Sequence, residues 1–150
     1  MGLFEKSVRI IFSAVIFSVI LQVVHAIGSF VAMDLYDYPG VKNFWFGFWV
    51  PDGNVLPLKF YFYSIIFSLV TGLVLSLIFL YIRPAIMATG FLKQGLVYGL
   101  ILFLVSDVTI TLNLALTLDL PVTLLVVWMY ENLVTYLIAG VGTAGILRRA

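Results

Sequence analysis

GLVYGLILFLVSDVTITLNLALTL, running from Gly95 to Leu118, carries a single charge, Asp107, at its middle. A helix rises about 1.5 Å per residue, so a run of this length covers the roughly 30 Å hydrocarbon core of a bilayer. Inside lipid a lone segment can satisfy its backbone only as a helix, which makes this stretch a membrane span rather than a buried strand. A charge at the bilayer centre costs roughly 3 kcal/mol on insertion scales, so Asp107 needs a compensating role.

Three further runs have the same character. Working outward, the spans are about 10–33, 58–82, 95–118 and 121–147, which leaves one long connection, 34–57, and short turns elsewhere. The chain is 63% apolar and 10% charged with a mean hydropathy of +1.19, against roughly 45–50% apolar and 25% charged in soluble domains. The expected fold is therefore an all-α integral membrane protein, a four-helix bundle of two antiparallel hairpins forming a single transmembrane domain over residues 1–150. Lys6 and Arg9 ahead of an apolar run, and the small-residue pattern Val24-His25-Ala26, resemble a secretory signal. The run continues well past the 7–15 residues of a signal core, so it reads as an uncleaved first helix. Asp119 and Pro121 form the tight turn before the last span, with Asp119 expected to cap a helix whose first residue is Pro121.

Several function classes fall away. Eight scattered cations and a net charge of +1 do not make the clustered basic surface that nucleic acid requires. Zero cysteines removes thiol, disulfide and iron–sulfur chemistry. No nucleophile elbow, H-E-x-x-H pair or phosphate-cradling glycine loop is present, so an enzyme has no positive support and no cofactor is implied. A metal site is also weakly supported, since the single His25 has no carboxylate or second imidazole one turn away on its own helix.

Cations near span ends are retained on the cytoplasmic side. Lys6, Arg9, Arg83, Lys93, Arg148 and Arg149 share one side of a four-span bundle, while Lys42, Lys59, Asp34, Asp37, Asp52 and Asp119 share the other. Both termini are therefore expected in the cytoplasm, in a multi-pass protein of the cytoplasmic or plasma membrane type. The external connection holds Trp45, Phe46, Phe48 and Trp49, rings that favour the headgroup layer and that here would form an interfacial lid over the bundle.

Small and polar residues mark which helix faces meet protein. On the second helix Ser64, Ser68, Gly72 and Ser76 recur every fourth residue, and the third opens with Gly95 and Gly99. On an unbroken wheel of 100° per residue, Ser106, Thr109, Asn113 and Thr117 continue that third-helix seam, and Asp107 falls about 100° from it. Asp107 is thus expected at a flank contacting another helix, or at an oligomer interface. The fourth helix places Thr135 and Gly142 on the face of Glu131, with Gly140 and Ala144 as a second ridge on the far side. That ridge is expected to receive a second copy or a membrane-protein partner.

The ionisable residues inside the spans are the functional candidates. His25 and Glu131 point inward by the small-residue test; Asp107 falls close to the midplane and His25 and Glu131 about 5–6 Å outward of their span centres, so that all three can share one pocket in the outer half. Gln22, Asn113 and Asn132 lie at compatible depths as neutral hydrogen-bonding neighbours. Such a pocket can take a cation, a proton or a small ligand, in transport or sensing, with a homo-oligomer closing over it. The alternative is a non-catalytic accessory or structural subunit of a larger membrane complex, the same ridges serving as its docking surface.

Overall fold

The computed structural model describes residues 3–37, 41 and 58–148, and among them the chain is helical with no strand. Four helices are long and apolar enough to cross a membrane: α1 (Leu3–Val31), α2 (Leu58–Ile82), α3 (Phe91–Thr117) and α4 (Val122–Leu147). A 3-10 turn, Met33–Asp37, follows α1, and the rest of the connection through residue 57, including Trp45, Phe46, Phe48 and Trp49, lies outside the described residues.

The helix ends depart from the hydropathy boundaries for physical reasons. α1 begins well before Ile10, because hydropathy marks where lipid starts whereas backbone hydrogen bonds run on into water. There the Glu5–Arg9 pair at 3.0 Å, one turn apart, supports the exposed turn. α2 stops at Ile82 because Pro84 cannot donate to a continuing ladder, and a 3-10 turn, Arg83–Ala85, replaces it. Gly90, at φ +83°, then supplies the left-handed residue that turns the chain into α3. α4 starts at Val122 with Pro121 just outside it, and the Pro121 carbonyl accepts the N–H groups of Leu124 and Leu125 at 3.0 and 3.2 Å. Asp119 makes no cap at this helix start, contrary to the expectation from its position.

α4 is the centre of the bundle. It packs against α1 on one side and α3 on the other, and α1 in turn holds α2. The crossing of α3 and α4 is backbone against backbone: a methyl added at Gly95 would overlap the chain at Gly140 and Val141, and one at Gly99 would overlap Tyr136. Gly140 and Ala144 are therefore buried under α3, Ala144 completely. This corrects the expectation of a free ridge: the surface reserved for a partner is the site where the chain packs on itself. Gly142 faces Ile16 of α1 at ordinary van der Waals distance.

The seam between α1 and α2 is lined by neutral polar groups that satisfy one another. Ser76 donates to Ser13 (2.8 Å), which donates to Thr143 of α4 (3.2 Å), joining three helices. About two turns farther along α2, Ser68 donates to the Ile65 carbonyl (2.9 Å), so the 2.5 Å contact with Ser18 has Ser18 as donor. Gln22 donates to Ser64 at 2.9 Å and to Ser68 at 3.3 Å. Gly72 lies directly on the Ala14 backbone, which is what allows the helices close enough for these short side chains to meet.

At the cationic end, two arginines hold the C-terminus of α4. Arg83 donates to the carbonyls of Leu147 (3.0 Å) and Arg148 (2.8 Å), and Arg9 donates to that of Ile146 (3.2 Å). The last carbonyls of a helix lack intrahelical donors and carry its negative pole, so guanidinium groups fit both needs. Above them, Phe79, Ile86, Tyr98, Leu102, Ala144 and Leu147 form an apolar core. Tyr98 of α3 reaches α2 there, donating to the Leu75 carbonyl and packing edge-on against Phe79. The ionisable residues lie away from this core, toward the opposite half of the bundle.

Candidate intramembrane binding site

Asp107 reaches the interior through a break in helical regularity. α3 is α-helical over Phe91–Leu102, makes a π turn over Phe103–Asp107, and resumes as an α-helix over Val108–Thr117. The Val108 N–H accordingly bonds to the Phe103 carbonyl, five residues back. A π turn absorbs one extra residue and so advances everything after it by about 100° relative to an unbroken wheel. The buried residues of α3 follow that shift: Gly95, Gly99 and Leu102, then Asp107 and Thr111. Asp107 occupies the angular place that an uninterrupted helix would give Ser106, and it is 5% exposed against α4. The same rotation carries Asn113 out of the seam. Asn113 is exposed and donates to the Thr109 carbonyl of its own helix (3.0 Å), while Thr117 bonds to the Asn113 carbonyl (2.8 Å).

Glu131 and Asn132 are adjacent on α4, so their side chains diverge by about 100° and address different neighbours. Asn132 turns to α3 and donates to Asp107 Oδ1 at 2.5 Å. Glu131 turns to α1, where its carboxylate lies on Gly28, and a methyl at that position would overlap it. Gly28 is thus a notch cut to admit a carboxylate. Glu131 Oε2 lies 3.4 Å from Nδ1 of His25, with the Glu131 side chain 8% exposed and that of His25 55% exposed. His25 therefore stands at the rim of the site instead of pointing into the interior.

The three helices enclose a cleft of about 190 Å³. Asp107, Glu131, Asn132, Thr111 and His25 supply its polar wall, and Ile110, Leu114 and Trp128 its apolar wall. Trp128 is fixed by donating its indole N–H to the Tyr36 hydroxyl at 2.9 Å, which ties the turn after α1 across to α4. Gln22 belongs to the α1–α2 seam and Asn113 to the outer surface of α3, so neither joins the site.

Two oxygens in this cleft are left over. Asp107 Oδ2 and Glu131 Oε1 are buried and have no hydrogen-bond partner among the described residues. A carboxylate is acceptor-only when ionised, and an unpaired one in an apolar setting costs several kcal/mol. Such oxygens either hold a proton or face a positively charged or donor-bearing group. Among the described residues no three carboxylate or imidazole groups converge as metal ligands would.

The sequence reading missed Gly28, Thr111, Trp128 and Tyr36. A signal existed for Gly28, which lies three residues after His25 on the same face of α1. Thr111 was hidden by the π turn, and no residue pattern in Phe103–Asp107 announces that turn. Comparison with protein-family models, with curated proteins and with solved structures finds no match for the chain.

Proposed function

We propose that this four-span membrane protein binds a cation, whether an inorganic ion, a proton or a cationic small ligand, in the cleft between α1, α3 and α4, and that it does so in transport or sensing. The observation that carries this reading is the pair of carboxylates, Asp107 at 5% and Glu131 at 7% exposure, each with one buried oxygen unpartnered among the described residues and both lining one cleft. Asp107 has no basic partner among the described residues and Glu131 meets only the rim imidazole of His25, charged when protonated; intramembrane carboxylates are costly, and a bound cation offsets that cost. The positive-inside pattern supports both termini on the cytoplasmic side, with the cleft in the outer half of the bilayer. An accessory role finds less support, because the Gly140–Ala144 ridge that would dock it is covered by α3.

The test is thermal unfolding of the purified full chain across a pH series and against a panel of monovalent, divalent and organic cations, for the native sequence, Asp107→Asn and Glu131→Gln. A ligand at a hundred times its Kd adds about 2.7 kcal/mol to the folded state, an upward Tm shift of several degrees. That shift is expected in the native chain and should be lost in both variants. Equal shifts in all three chains, or none in any, would refute the reading.

A further inference from the structure

We infer that the ligand of this cleft is a small primary ammonium ion carrying a short apolar substituent. The inference rests on the cation-binding reading above and adds the class of cation. Three features of the cleft point to it together.

The first is the number and kind of polar atoms. Asp107, Glu131 and Thr111, all acceptor-bearing, line the cleft, and each carboxylate has one buried oxygen that is unpartnered among the described residues. An ammonium group presents three N–H donors to such a set. A calcium ion asks for six to eight oxygens and a zinc ion for three or four protein ligands; the described residues bring no such group together.

The second is the remainder of the wall. Ile110, Leu114 and the Trp128 ring give nothing to a hydrated metal ion but pack an alkyl or aryl substituent. Because the Trp128 N–H is already bonded to Tyr36, the indole contributes its ring alone, a surface that attracts organic cations. The third is size. A volume of about 190 Å³ equals roughly six waters' share of the liquid and lies below the 300–1,000 Å³ of drug-sized pockets. The part of the substituent that the cleft itself covers is therefore a few carbon atoms.

The experiment uses the full chain with Trp45→Phe and Trp49→Phe, so that Trp128 is the sole tryptophan. Its fluorescence is titrated with butylammonium, tetramethylammonium, sodium and magnesium, and Tm of the native chain is followed under the same additions, which keeps the test valid if the substituted chain folds poorly. Butylammonium should give a saturable change in both readouts, at least tenfold tighter than tetramethylammonium, which has no N–H, and weakened at least tenfold by Asp107→Asn or Glu131→Gln. Equal responses to the two amines, or a response indifferent to those variants, overturns the ammonium assignment. A carboxylate-dependent response to sodium or magnesium alone overturns it as well and leaves the cation site standing. No response to any cation overturns both.

Discussion

Two polar regions of this bundle are built by opposite rules. Along the α1–α2 seam the groups are neutral, short and mutually bonded in two sets, Ser76–Ser13–Thr143 and Ser18–Ser68–Gln22–Ser64. In the cleft between α1, α3 and α4 the groups are ionisable, and two buried oxygens have no partner among the described residues. Both regions use a glycine to bring elements together, but Gly72 meets the Ala14 backbone whereas Gly28 meets the mobile end of Glu131. Polar residues inside a membrane protein thus divide by whether their bonds are complete. Completed sets hold helices together, and an incomplete set is a place for something else.

The contrast can be broken most forcefully at Gly72. Gly72→Val places a side chain on the Ala14 carbonyl, where backbone must move, and should cost about 3 kcal/mol in reversible unfolding, with no change in cation response once folded. A mild effect there would mean that the seam is not close-packed. Next comes Ser68→Ala, which strips the acceptor from both Ser18 and Gln22 and should cost about 1.5 kcal/mol by the same measurement. Asp107→Asn should act with the opposite sign, since the new amide oxygen still accepts from Asn132 while a neutral amide replaces a buried carboxylate. Without added cation it should stabilise by about 1 kcal/mol. A loss of stability instead would place Asp107 with the cohesive residues. The smallest shift is expected at Gly28→Ala: displacement of the Glu131 carboxylate is offset by the better helix propensity of alanine, leaving unfolding within about 0.5 kcal/mol of the native chain. Its cation-dependent Tm shift should nonetheless shrink, which would separate the site from the scaffold in one substitution.

The fold was far more legible than the site, and the reason is the kind of signal each leaves. Four spans follow from length and hydropathy, and α2 spans the residues that its apolar window marks, Leu58–Ile82, because Pro84 ends helix and apolar run together. The face of α2 was legible because its four-residue repeat is uninterrupted. On α3 the same method failed after Leu102. A wheel assumes 100° at every step, and one extra residue in Phe103–Asp107 exchanged Asn113 for Thr111 and brought Asp107 inward. The far-side ridge of α4 was misassigned for a different reason. Small residues show that a face is covered but not by which helix, and a chain whose last helix is central needs two such faces. Which membrane face holds the termini depends on charge bias alone.

The π turn of α3 gives the cleft an unusual genetic footing. Removing a single codon between Phe103 and Ser106 would let the ladder re-form as an ordinary helix with the outer half of α3 facing as before, because the residue lost is the one that the π turn absorbs. Asp107 would keep its angular place toward Asn132, whereas a regular helix that kept every residue would turn it away by about 100°. In a lineage carrying such a deletion the pocket would survive although an alignment showed a gap in the middle of the helix.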